Sequence, residues 1–160
     1  MSFQDLTKVK AVFFYSHSGS RITAQYYDNS IPDEKRTDFE NNIFKRASED
    51  FDGQIMQHEE YITVYRNCND VVGFVVGDLK ANELLLDEVL ETIFTALSLV
   101  YKKVSYDDLM KQIDLLYLLL DETIEQGYIF EGDPEIVAAR VVLKDDKAFA
   151  GKAVRSSQGF

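Results

Sequence analysis

The chain has 160 residues, 46% of them hydrophobic, and a formal net charge of −11 from 17 Lys and Arg against 28 Asp and Glu. That length fits one domain able to build a core without disulfides, and the apolar share excludes wholesale disorder. The acidic balance repels phosphates and anionic headgroups, which argues against autonomous binding of nucleic acid or of a membrane surface.

Val9 to Tyr15, VKAVFFY, is apolar on both alternating faces, the pattern of a strand covered on both sides. His17-Ser18-Gly19-Ser20 is a turn, and Arg21 to Asp28 returns as a second strand. Period two places Ile22, Ala24 and Tyr26 on one face of it and Thr23, Gln25 and Tyr27 on the other. Pro32, Asp33 and Glu34 suit a helix entry, and Phe39, Ile43, Phe44, Ala47 and Phe51 follow at mostly helical spacing. A first amphipathic helix is expected from Asp33 to about Ser48. Asp52-Gly53 turns the chain. Three strands come next: a short one over Gln54 to Gln57, an alternating one over Tyr61 to Arg66, and Val71 to Val76, apolar on both faces. Gly73 within the last marks a close approach or a bulge.

The remainder reads as helix. Asn82 caps a helix to about Lys103, with Leu86, Val89, Leu90, Ile93, Leu97, Val100 and Tyr101 as its apolar stripe and Lys102 and Lys103 at its carboxy-terminal dipole. Ser105 with Asp108 resembles a capping box. It opens a third helix with Leu109, Ile113, Leu116, Tyr117, Leu120 and Ile124 buried and Gly127 as its stop. After an extended link at Tyr128-Ile129-Phe130, Asp133-Pro134 starts a short last helix anchored by Ile136, Val137 and Val141. The expected fold class is α/β (α+β): helices on both faces of one five-stranded, antiparallel-type mixed sheet, in the order β-β-α-β-β-β-α-α. The domain is expected over residues 1–143, with 144–160 as a flexible carboxy-terminal tail.

Chemistry-bearing patterns are sparse. The 8 glycines form neither GxGxxG nor a phosphate-binding loop. His17, His58 and Cys68 lie in different loops or strand ends without ligand spacing, so no metal and no cofactor is expected. Cys68 lacks a nucleophile signature, and Ser18-Gly19-Ser20 reads as turn chemistry. Asp87, Glu88 and Glu91, and likewise Asp121, Glu122 and Glu125, read as solvated helix faces. Tyr26, Tyr27, Tyr61 and Tyr65, on strands, are the aromatic residues considered for a partner surface. No catalytic residue is assigned, and partner-binding residues stay unassigned. A lone cysteine and the lack of a secretory leader before the first strand suit a reducing cytosol, and no apolar stretch reaches the length of a membrane span.

Several ordered segments resemble one family. They are Val9-Lys10-Ala11-Val12; Gly19, Arg21 and Ala24-Gln25-Tyr26-Tyr27-Asp28; Phe39-Glu40-Asn41-Asn42-Ile43-Phe44-Lys45; and Asn82-Glu83-Leu84-Leu85-Leu86. Leu120-Asp121-Glu122-Thr123-Ile124 with Gly127, then Asp133 and Val137-Ala138-Ala139-Arg140-Val141, complete the set. Together they resemble the zeta subunits of coatomer, the COPI vesicle coat, which group with the longin-like sigma chains of clathrin adaptors. The first turn lacks the acidic residues common in that family, and the chain after Val141 is short and diverged. The resemblance implies a longin-like three-layer domain that is not an enzyme. It also implies a subunit bound to the trunk of the gamma coatomer subunit within a beta, delta, gamma and zeta subcomplex. That assembly would be cytoplasmic, would link indirectly to an Arf-family GTPase, and would be peripheral on Golgi membranes and COPI vesicles. The work implied is Golgi-to-ER retrograde and intra-Golgi transport. A sigma-type small chain of a clathrin adaptor, or another longin-domain trafficking subunit, is the alternative.

Overall fold

The computed structural model describes residues 8–158, with side chains to residue 146. Strands β1 (Val9–Ser16) and β2 (Arg21–Tyr26) form a hairpin, followed by helix α1 (Asp33–Ala47). Strands β3 (Ile55–His58), β4 (Tyr61–Cys68) and β5 (Val71–Asp78) form a meander. Helices α2 (Glu83–Val100), α3 (Tyr106–Lys111) and α4 (Ile113–Thr123) follow, then a small hairpin of β6 (Ile124–Glu125) and β7 (Tyr128–Ile129), and helix α5 (Pro134–Gln158). The large sheet has the order β2-β1-β5-β4-β3, with every neighbouring pair antiparallel. The expected strand and helix order therefore stands through α2.

Two cores lie on the two faces of this sheet. Ala11, Phe13, Tyr15, Phe74 and Val76 pack with Phe39, Ile43 and Ala47 of α1. Val12, Phe14, Val64 and Val75 pack with Leu90, Ile93 and Leu97 of α2, Leu116 and Leu120 of α4, and Val137 and Val141 of α5. Strands β1 and β5 alternate between the two cores, which explains why both read as apolar throughout. Phe13 stacks on Phe74 with ring centroids 4.8 Å apart. Gly73 faces α2, where an added Cβ would lie 2.7 Å from Phe94 and 2.8 Å from Phe14. Pairing with both neighbouring strands is unbroken at Gly73, so the glycine serves close packing and not a bulge.

Several local expectations are corrected. Ile22 does not share a face with Ala24 and Tyr26: the register shifts between Phe14 and Tyr15, and the irregularity turns Ile22 into the α2 core. Helix α2 ends at Val100, because Tyr101 is extended and sends its hydroxyl to the Gln112 carbonyl at 2.6 Å. Lys102 and Lys103 thus lie beyond the last helical turn. The third helix is two helices, broken at Gln112 (φ −128, ψ 50), and Tyr117 faces solvent. Gly127, with φ +91, is no helix stop but the second turn residue of the β6–β7 hairpin, where Gln126 also has positive φ. Helix α5 spans 25 residues where a short helix was expected. Ile136 is exposed, while Val137 and Val141 are fully buried.

Candidate functional site

Most residues able to carry chemistry are engaged in structural contacts. His17 stacks on Phe51 at 4.4 Å, and its Nε2 lies 2.5 Å from Asn67 Oδ1. His58 packs edge-on against Phe39 and has Glu59 3.8 Å away. Cys68 is half-buried, and burial pushes its thiol pKa up, which disfavours the nucleophilic thiolate. Neither histidine is hydrogen-bonded to it. Ser18 makes a hydroxyl–hydroxyl bond to Ser16 at 2.8 Å within the β1–β2 turn. Among the described residues, no three His, Cys, Asp or Glu side chains are grouped as a metal site would need.

The strongest polar cluster clamps α1 onto the sheet. Glu40, on the sheet-facing side of α1, is fully buried. Its carboxylate accepts from Tyr15 Oη at 2.9 Å, Tyr26 Oη at 2.7 Å, and the Arg21 guanidinium at 2.9 and 3.2 Å. Every oxygen is satisfied, which is what makes a buried carboxylate tolerable. Burial first, and the adjacent carboxylate second, push the phenol pKa of Tyr15 well up; at Tyr26 burial and the hydrogen bond to Glu40 do the same. Both phenols therefore remain neutral donors. Arg36 lies 4.3 Å over the Tyr26 ring, extending the clamp.

A second cluster joins α4 to α5. Glu122 was expected on a solvated face with Asp121 and Glu125, yet it is buried. Its position, three residues after Leu119 on the inward side of α4, turns it toward α5. There it pairs with Lys144 and, at 3.9 Å, with Arg140. Asp121 and Glu125 are exposed, as are Glu88 and Glu91 on α2.

Exposed apolar side chains mark the surfaces suited to a partner. Tyr61 and Tyr65 are buried, and Tyr26 and Tyr27 half-buried, so the strand tyrosines do not form one. The β6–β7 hairpin and its exit instead expose Tyr128, Ile129 and Phe130, with Arg140 6.0 Å from the Phe130 ring. Ile136 and Leu143 of α5 are exposed nearby in the chain and share one helix face with Arg140 at steps of four and three. A separate groove between β3 and the start of α2 is lined by Ile55, Leu84, Val64, Glu83 and Asp87. Sequence reasoning missed both surfaces. The Tyr128-Ile129-Phe130 run was visible, but its exposure depends on the hairpin that holds it.

Fold and surface together admit comparison with known proteins. Residues 8–148 match the family described as the clathrin adaptor complex small chain. The chain belongs to that family. Among curated relatives of this small chain, mouse coatomer subunit zeta-2 is 36% identical over 143 residues, covering 88% of this chain and 69% of that one. Human coatomer subunit zeta-1 is 35% identical, covering 88% and 80%. Coatomer subunit zeta-2 of Arabidopsis thaliana is 29% identical, covering 92% and 86%. A chain of a homology model of the full-length AP-3 complex, in a stretched open conformation, superposes with a TM-score of 0.72 at 14% identity, covering 91% of this chain and 98% of that one. At that identity the likeness concerns the small-chain fold alone. Among the described residues, no helix is long and apolar enough to cross a membrane.

Proposed function

We propose that the chain is a zeta-type small subunit of the COPI coat. It is a non-catalytic component that binds the trunk of the gamma coatomer subunit within the beta, delta, gamma and zeta subcomplex. In this reading it serves Golgi-to-ER retrograde and intra-Golgi transport. It works in the cytoplasm and reaches Golgi membranes and vesicles through the coat, with an Arf-family GTPase engaged indirectly by the larger subunits. The observation that carries the reading is the identity of 35% or more to zeta subunits of coatomer along 88% of the chain. The neutral Cys68 thiol and the fully spent Glu40 carboxylate support a binding role over catalysis. Interfaces of permanent complexes are apolar at their centre, and the exposed Tyr128-Ile129-Phe130 run with Leu143 supplies such surface.

A sigma-type small chain of a clathrin adaptor is the second reading, favoured by the family matched. Co-expression with a gamma-coatomer trunk and, separately, with clathrin-adaptor large-chain trunks tests both. A stoichiometric complex with the gamma trunk is expected on gel filtration. Co-purification with an adaptor large chain alone would replace the first reading by the second.

A further inference from the structure

Strand β3 ends the sheet, and its pairing fixes which of its backbone groups are used. Ile55 pairs with Val64, and one step earlier Tyr65 donates its N–H to the Gln54 carbonyl at 2.9 Å. Bonded and non-bonded pairs alternate along an antiparallel ladder. Gln54, Met56 and His58 therefore face β4, while Ile55 and Gln57 direct their N–H and C=O groups away from the sheet. The Gln57 carbonyl accepts from Arg46 Nη1 of α1 at 2.5 Å. The Ile55 N–H, the Ile55 C=O and the Gln57 N–H have no partner among the described residues. The edge is closed at one end by Arg46 and open at the other.

The open end adjoins the apolar groove. Ile55 is 45% exposed and Leu84 70% exposed, and both line it with Val64. Glu83 and Asp87 supply its charge. Asp87 is held by Arg66 at 3.1 Å, whereas Glu83 is exposed and makes no ion pair among the described residues.

We propose that this edge accepts an extended segment of a partner protein as an added strand. An apolar residue of the segment sits opposite Ile55, and a Lys or Arg sits two residues away on the same face. The two open groups of Ile55 make that residue a bonded pair with the incoming one. Side chains directly opposite share a face, so the apolar side chain enters the groove beside Leu84. The basic residue meets Glu83. A second copy of this chain is a poor occupant, because two chains of net charge −11 would repel. The proposal is independent of which large chain the protein assembles with.

The test uses the 160-residue chain and a capped heptapeptide, acetyl-Thr-Lys-Thr-Val-Thr-Lys-Thr-amide, followed by amide hydrogen exchange and NMR titration. The Ile55 and Gln57 amides should gain protection, with shifts confined to β3 and the start of α2. N-methylation of the central valine leaves every charge in place but removes the N–H that would meet the Ile55 carbonyl. It should weaken binding about tenfold, the scale of one hydrogen bond. Glu83→Lys, on the exposed first turn of α2, should weaken the unmethylated peptide by about threefold or more. Equal binding of the two peptides, protection elsewhere than at Ile55 and Gln57, or no binding would each overturn the proposal.

Discussion

Asp28 shows how single charged groups secure the hairpin end of the sheet. Burial opposes its ionisation, but the Ser30 hydroxyl and N–H, at 2.6 and 3.0 Å, and the Lys10 ammonium, at 3.0 Å, hold its pKa down at about 2, below the ordinary 3.8. Lys8 approaches the same oxygen at 3.5 Å. The side chain is one-fifth exposed, so solvent screening is limited. A depressed pKa means that the folded state favours the carboxylate. The stabilisation is complete above the unfolded value and is lost as pH falls through about 2. Asp28→Asn should therefore cost on the order of 2 kcal/mol near neutral pH. The gap between the two proteins in urea unfolding should stay constant down to about pH 5 and shrink steadily below about pH 4. A gap independent of pH would show that the loss comes from packing and not from the charge.

At the scale of elements, alternation and capping signals were readable because they depend on neighbours in the chain. Asn82 and Ser105 accept from the Leu84 and Asp108 amides as their spacing predicts. Departures occur where a distant partner decides. The Tyr101 side chain is claimed by the Gln112 carbonyl, so α2 stops short and the next helix breaks. Glu122 looked like one carboxylate among several until α5 brought Arg140 and Lys144 to it. The irregularity that turns Ile22 inward is set by the β1–β2 register, which period-two reading cannot foresee. The exposed apolar surfaces were illegible for the same reason, since exposure of Phe130 or Leu84 is a property of the assembled fold. Gly73 tests the contact between sheet and helix. Its absent Cβ lets Phe94 of α2 reach Phe14 of β1 edge-on at 5.7 Å between centroids. Gly73→Ala should cost roughly 1–3 kcal/mol by overpacking, read as a lower denaturation midpoint at unchanged m-value. Gly73→Ala with Phe94→Leu, which makes room for the methyl, should recover part of that loss. A single variant as stable as the parent would show that the helix shifts freely on the sheet.

The whole molecule is a sheet with a core on each face, and the two cores are coupled through the same strands. Phe13 and Phe14 are consecutive residues of β1, yet one packs toward α1 and the other toward α2, α4 and α5. Phe74 and Val75 of β5 divide in the same way. Melting either core exposes the opposite face of β1 and β5, which neither core can then hold in place. Unfolding should therefore be one cooperative transition, as is usual for single domains of this size. Ile43→Ala in the α1 core and Leu116→Ala in the α4 core should each cost about 2–5 kcal/mol. Each should move far-UV circular dichroism and tyrosine fluorescence to one shared, lower midpoint. Because the two side chains lie on opposite faces of the sheet, their costs should add within about 0.5 kcal/mol in the double variant. Separate midpoints for the two probes in either variant would mean that the faces unfold independently. In that case the sheet would be a partition between two modules, and a partner docked on one face could not stabilise the other. If the transition stays single, binding at the β3 edge or at the hairpin of β6 and β7 stabilises the entire domain, since any ligand of the folded state shifts the whole equilibrium.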